Sequence, residues 1–289
     1  MPSSATLSRA ETFLWTHARV LERRVFERVF AGGSSAAVVD ALRAYRNPDG
    51  GMGHALEPDL RAPTSQTLFV DFALTTLHDA SANDGLLVAG ACEFLARVSD
   101  LGGAVPWALR DALLHPRADH WNGAYAVMPS LSATSAVAGR LHALGARHEW
   151  LDRATAWCFS QVEGHPAHTG HGMLNVLTFL QHAPDRHRAA VLWDRVTERL
   201  FEADYVQLRL PITSYGLTPL RFSPTPASPV RALFADSVIE SHLDALLAEQ
   251  QDDGGWPIRW EPPGQAAVSE WRGKWTLDAL RTLRAYGRI

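Results

Sequence analysis

The densest chemistry in the chain is one short run, His54-Ala55-Leu56-Glu57-Pro58-Asp59-Leu60-Arg61. It brings together an imidazole, two carboxylates and a guanidinium. Pro58 bars a regular helix there and stiffens the backbone. A carboxyl drawn partly out of water holds its proton more tightly, and a nearby imidazole or cation retunes it. General acid–base chemistry needs such groups. Asp59 and Glu57 are therefore the candidate acid or base, with His54 beside them and Arg61 as a tuning or substrate-binding group. The same residues also fit a structural reading, a turn held by its own side chains with Asp59 capping and Arg61 bridging.

A second group is His165, His168 and His171. Neutral imidazoles bind zinc, and a spacing of three places two of them on one helical face. The pattern matches neither a His-Glu-x-x-His site nor a Cys/His finger. Pro166 and Gly170 point to a loop, where such histidines are solvated or cap a helix. No metal is assigned. His115 and His120 are further imidazoles of a Pro-, His- and Trp-rich stretch.

A third group is aromatic. Trp256, Trp260, Trp271 and Trp275 crowd the C-terminal part, and Trp107, Trp121 and Tyr125 the middle. Aromatic faces attract cations and also stack on sugar rings. Trp256 reads as a packing residue. Trp121, Tyr125, Trp260 and Trp271 sit beside polar residues and are candidate substrate-lining groups. Arg272 and Lys274 flank Trp271; as a pair they suit a diphosphate or carboxylate, or simply a solvated helix start. Neither Gly-Gly run is followed by Lys-Ser/Thr, so no phosphate loop is present. No Gly-x-Ser-x-Gly elbow exists. No cofactor is indicated.

The elements that must position these groups repeat. Asp244–Ile258, DALLAEQQDDGGWPI, and Asp40–His54, DALRAYRNPDGGMGH, share Asp, Ala, Leu, Ala, Asp, Gly and Gly in one register, with Met52 where Trp256 stands. A weaker copy spans Cys92–Pro106, with Gly102-Gly103 in place of Gly50-Gly51. A period of roughly 50 residues is a repeat signature. Each unit is a helix end, a polar turn in which glycine permits positive φ, and a large apolar side chain folding back. One such unit cannot bury its own apolar face, so neighbours must stack.

The string Gln250, Asp253, Gly254, Gly255, Trp256 resembles the QW-type repeat of squalene-hopene cyclases and other class II terpenoid cyclases. Related Gly-Gly repeats occur in protein prenyltransferase β subunits. The resemblance implies an all-α fold, an α/α toroid of about six helix pairs around a central cavity, formed as a single domain over residues 1–289. The Asp-x-Asp-Asp acid of class II cyclases is absent, as are the Asp-rich magnesium motif of class I synthases and the Asp, Cys, His zinc set of prenyltransferases. Asp252-Asp253 belongs to the repeat turn. If the chain is a cyclase-like enzyme, its acid is Asp59 or Glu57.

The helix pattern agrees. Leu7–Phe30 reads as one amphipathic helix, with Phe13, Leu14, His17, Val20, Leu21, Val25 and Val29 at a 3.6 period. Ser34 or Ser35 caps the next, and Thr64 or Ser65 a third. Further helices follow at Asn83–Val98, Trp107–Leu114, Ser132–Leu144, Glu149–Gln161, Gly170–His182, Arg186–Ala203, Val230–Gln250 and Ser269–Tyr286. Ser132–Leu144 is rich in small residues, which permit close helix contact. Residues 205–229 hold five prolines and read as irregular.

Composition closes several options. The 289 residues are 46% apolar and 20% charged, with net charge −4, ordinary for a globular chain. No basic stripe exists to neutralise nucleic-acid phosphates. Lys274 is the single lysine. Two cysteines in apolar helices make no disulfide framework, so a cytoplasmic location is expected. The opening residues, MPSSATLSRAETF, lack the long apolar core of a signal peptide, and no run of about 18 apolar residues suggests a membrane span. Three readings follow: an enzyme acting by acid–base chemistry on an isoprenoid or other apolar small molecule, a carbohydrate-active lyase, hydrolase or epimerase, and a binding or scaffold protein that kept the fold without the chemistry.

Overall fold

The computed structural model describes residues 2–164 and 167–289. Among them are twelve α-helices and no strand; β pairing is confined to three isolated bridges. The all-helical expectation holds. The chain divides into two compact units, one of residues 1–32 and 204–289, the other of 33–203.

The first unit contains α1 (Pro2–His17), α2 (Val20–Phe30), α10 (Pro219–Phe222), α11 (Asp236–Ala248) and α12 (Gln265–Ala285). Helix α12 packs on α1, α2 and α11, and α10 packs on α11. Phe13, Leu14, Leu21, Leu243, Trp256, Leu280 and Leu283 are buried there. The sequence reads Leu7–Phe30 as one helix, but the chain turns at Ala18 and Arg19. Arg19 is extended (φ −66°, ψ 163°) and ion-pairs with the buried Glu22. A Cβ on Gly273 would stand 2.9 Å from Ala18 Cβ. The corner follows from this close approach of α12, and the apolar period carries no trace of it.

The second unit contains α3 (Ser35–Arg43), α4 (Thr67–Asp79), α5 (Gly85–Val98), α6 (Leu131–Ala143), α7 (Glu149–Gly164), α8 (Gly170–His182) and α9 (Arg186–Thr197). Helices α4, α6 and α8 pack in sequence, as do α5, α7 and α9, and α6–α7 and α8–α9 contacts join the two rows. Helix α6 is the expected small-residue helix. Ala133, Ala136, Ala138 and Gly139 are buried, and a Cβ on Gly139 would lie 2.7 Å from the Phe179 nitrogen.

Three Gly-Gly turns are built alike. In the first, Asn47 N–H donates to Gly51 O and Gly50 N–H to Asn47 O, and the Asp49 carboxylate accepts from Gly51 N–H. In the third, Gln251, Gly255, Gly254 and Asp253 repeat these bonds. The middle turn follows the same scheme one residue out of the expected register. Asp100 N–H donates to Ala104 O and Gly103 N–H to Asp100 O, and Asp100 accepts from Ala104 N–H. Gly103, not Gly102, therefore matches Gly50 and Gly254, and all three have positive φ (84°, 93° and 92°). A Cβ there would strike backbone of a helix that is not the next in the chain: Gly90 O of α5 at 2.8 Å for the turn after α3, Ala154 N of α7 at 2.8 Å for the turn after α5, and Arg9 O of α1 for the turn after α11. Trp256 is fully buried and its Nε1–H donates to Leu246 O at 2.7 Å.

Other boundaries shift for local reasons. Ser34 caps α3 as expected, accepting from Ala36 N–H. Neither Thr64 nor Ser65 caps α4, which starts after Gln66. Ser65 Oγ instead donates to Asp49 Oδ1 and accepts from Asn47 Nδ2, tying the first turn together. The helix expected near Trp107–Leu114 is a 3-10 turn over Arg110–Leu114. The long helix expected from Val230 begins at Asp236, after a 3-10 turn at Arg231–Leu233.

Candidate functional site

The run after the first Gly-Gly turn bends inward. His54 and Ala55 both adopt left-handed backbone (φ 57° and 56°), and their N–H groups donate to Pro63 O and Ala62 O. The bend buries Glu57 and Asp59 and leaves His54 exposed. Glu57 Oε2 accepts from Asp59 N–H at 2.9 Å, so its carboxylate braces its own loop.

A second loop is stapled across Asp59. Ala118 N–H donates to Asp59 O (2.8 Å) and Arg61 N–H to Pro116 O (2.9 Å), with an antiparallel bridge between Leu60 and Arg117. Chain leaving this bridge carries His120 over Asp59: His120 Nε2 stands 3.5 Å from Asp59 Oδ2. The imidazole ring centroid is 5.2 Å from that of Trp121. Burial pushes the His120 pKa down and Asp119 opposes this more weakly. His120 is thus a mainly neutral imidazole near pH 7, able to accept a proton beside a buried carboxyl.

Trp121 lies between Trp107 and Tyr125, with both ring centroids at 6.4 Å. Gln66, fully buried, fastens this loop to the start of α4: its Oε1 accepts from Leu109 N–H at 2.6 Å. Leu68 N–H donates to Trp107 O and Ala108 N–H to Ala126 O. The site therefore joins Asp59, His120, Trp121, Trp107 and Tyr125. Arg61 is half-buried on the same segment as Asp59. Trp121 Nε1 and Arg117 Nε are buried without a hydrogen-bond partner among the described residues.

The C-terminal aromatic and cationic candidates lie in the first unit, and His168 and His171 in the second. Trp260 meets Trp271, Trp275 and Tyr215 edge-on, with centroids 5.2, 5.5 and 5.3 Å away. Arg272 and Lys274 do not act as a pair. Arg272 forks onto Asp253 at 2.7 and 2.8 Å and covers the Phe13 ring. Lys274, two positions on and hence across the helix, binds Asp278. His165 lies outside the described residues, and these contain no group of three or more His, Cys, Asp or Glu that could hold a metal.

Sequence reading passed over one polar pair of the second unit. Asp71 of α4 faces Arg140 of α6, with Nε 3.1 Å from Oδ1, while Arg140 Nε also meets Thr75 Oγ1. Burial pushes the Asp71 pKa up and Arg140 pulls it down. No short motif joins these residues; only the apposition of α4 and α6 does.

No protein-family model matches the chain, and no curated protein matches it. Among solved structures it is similar to one described as a protein from Actinoplanes, with 17% identity, a TM-score of 0.57, and coverage of 98% of this chain and 99% of that one. That likeness extends over nearly the whole length of both chains and is a likeness of fold.

Proposed function

We propose that the protein is an α/α toroid of about six helix pairs and an acid–base enzyme in which Asp59 and His120 are the reacting pair. The observation that carries the reading is the 3.5 Å approach of His120 to the buried Asp59 beside an aromatic wall of Trp121, Trp107 and Tyr125. Helices from alternate positions in the chain pack in two rows, and Gly-Gly turns seat on the next such helix, which supports the toroid. The substrate class in this reading is terpenoid-like: an isoprenoid or other apolar small molecule whose developing positive charge the rings stabilise. Asp59 supplies or removes the proton, and neutral His120 sets its protonation state. Two buried free thiols, Cys92 and Cys158, fit a reducing, cytoplasmic setting. No helix among the described residues is long and apolar enough to cross a membrane.

A second reading is carbohydrate chemistry. The orphaned donors Trp121 Nε1 and Arg117 Nε and the polar Asn122, His115 and Arg117 in the same loop suit a hydroxyl-rich ligand. The test is turnover by the full chain, followed by mass spectrometry, of linear polyprenes and prenyl alcohols against oligosaccharides containing uronic acids. Conversion of a polyprene, abolished in Asp59→Asn, supports the first reading. Conversion of sugars alone supports the second. Conversion that survives Asp59→Asn removes Asp59 from either chemistry, and binding without conversion points to a scaffold.

A further inference from the structure

The second unit holds a polar groove that the acid–base reading does not use. Every residue of α4 is buried save Asp71, Thr75, His78 and the terminal Asp79. Asp71, Thr75 and His78 follow at i, i+4 and i+7, so they share one face. Helix α6 packs on both α4 and α8, and its residues 133–139 are buried. At their C-terminal ends α4 and α8 also approach each other, the His78 ring 6.0 Å from that of His182. Burial, His78, Arg186, His142 and Arg140, in falling order, push the His182 pKa down to about 4. Arg140 of α6 therefore shares one space with His78 of α4 and His182 of α8, and α6 is the floor between them.

The Asp71–Arg140 pair has hydrogen-bonding capacity left over. Its side chains are only 16% and 17% exposed. The single Nε–H of Arg140 goes to Thr75 Oγ1. Asp71 Oδ1 is therefore buried without a hydrogen bond among the described residues, although that Nε is 3.1 Å away. Arg140 Nη1 reaches Ala136 O only at 3.5 Å. Asp71 Oδ2 and Arg140 Nη2 make no hydrogen bond among the described residues, and neither atom is buried. Polar groups held this far out of water are costly when unpaired, and a ligand that pairs them regains that cost. The pair presents an acceptor oxygen beside donor nitrogens, with one carboxylate cancelling one guanidinium. A hydroxyl both donates and accepts, so two on neighbouring carbons can meet both partners. The stripe from Asp71 to His78 rises about 10 Å, which calls for polar groups all round the ligand and not for one polar head.

We propose that Asp71 and Arg140 form a binding site for a neutral polyhydroxylated ring, a sugar or cyclitol. Asp71 accepts from one ligand hydroxyl and Arg140 donates to its neighbour. Thr75 orients the guanidinium. His78 and His182 close the C-terminal end of the groove, with His182 a neutral imidazole near pH 7. The site rests neither on the Asp59–His120 pair nor on the loop donors Trp121 Nε1 and Arg117 Nε, because it shares no residue with them.

Polyols stabilise any protein by exclusion from its surface, so a shift in melting does not decide. The test is saturation-transfer NMR on the full chain with D-glucose, D-galactose, D-mannose and myo-inositol, and with cyclohexanol as a six-membered ring carrying a single hydroxyl. The expected result is saturable transfer to at least one polyol and none to cyclohexanol. Affinity should fall about tenfold or more in Asp71→Leu/Arg140→Met, as for loss of charge-assisted hydrogen bonds; that double variant strands no lone charge. It should fall several-fold in Asp71→Asn, which keeps the shape and loses the charge. Asp59→Asn should bind as wild type does, which separates this site from the acid–base pair. No transfer to any polyol overturns the proposal, as does equal transfer to cyclohexanol or tighter binding of glucuronate than of glucose. Unchanged affinity in either folded Asp71 variant also overturns it, and binding lost in Asp59→Asn alone returns the sugar to the loop site.

Discussion

Nε2 of His120 stands 3.5 Å from Oδ2 of Asp59 because Ala118, two residues before the histidine, is hydrogen-bonded to the carbonyl of that same aspartate. The backbone staple aligns the pair, and neither side chain creates it. Asp59→Asn and His120→Gln should each keep the helical circular-dichroism spectrum. Each should lower kcat/KM on the substrate found by the turnover screen about 100-fold, the scale of one lost acid–base group. Because burial lowers the His120 pKa, its limb of the pH–rate profile should lie below the usual 6.5, and His120→Gln should remove that limb.

Glycines at positive φ separate two costs of a side chain. At Gly145 (φ 73°) a Cβ meets nothing within 4 Å, so Gly145→Ala should carry only the left-handed backbone cost of about 1–2 kcal/mol. At Gly103 and Gly254 the Cβ also runs into backbone of α7 and α1. Gly103→Ala and Gly254→Ala should cost about 3 kcal/mol or more, measured by urea unfolding beside Gly145→Ala.

His182 ends α8 with its ring 6.0 Å from that of His78. Burial, then His78 and Arg186, push its pKa down to about 4. The unfolded chain takes up this proton near 6.5, while the folded chain resists it until about pH 4. Stability should therefore fall as pH drops from 6.5 toward 4 and level off below, as far as this group is concerned. NMR titration of the imidazole should give the low value, and His182→Gln should flatten that part of the curve.

Asp278 behaves in the opposite way. Lys274, Arg221 and Arg281 together outweigh its burial. Its folded pKa of about 2 lies below the unfolded value near 3.9, so its contribution is present above pH 4 and is lost between 4 and 2. Asp278→Asn should lose about 2 kcal/mol at pH 7. Wild type and variant should converge near pH 2, as measured by urea unfolding across that range.

The candidate site was legible in halves. Glu57 and Asp59 stand out in sequence because carboxylates beside Pro58 crowd one short run. Their different duties do not, since Glu57 accepts from Asp59 N–H only once the backbone takes left-handed values at His54 and Ala55. His54 looks like the partner imidazole because it is near in the chain. His120 is the partner because two loops pair through Leu60 and Arg117, and such long-range backbone pairing follows no residue pattern. Arg272 and Lys274 look like one cationic pair, yet helix geometry sends them to Asp253 and Asp278.

Apolar spacing and glycine chemistry, both local, were enough to specify helices, their rough order and the Asp-Gly-Gly turns. A helix period and a positive φ are properties of a few adjacent residues. Tertiary packing decided the rest. It broke the first long helix at Ala18 where α12 comes close, moved the middle turn by one residue to seat Gly103 on α7, set His120 over Asp59, and gathered three cations on Asp278. Each of these depends on which distant backbone arrives at a given place. That outcome comes from the summed burial of whole helices, and no short stretch of chain encodes it.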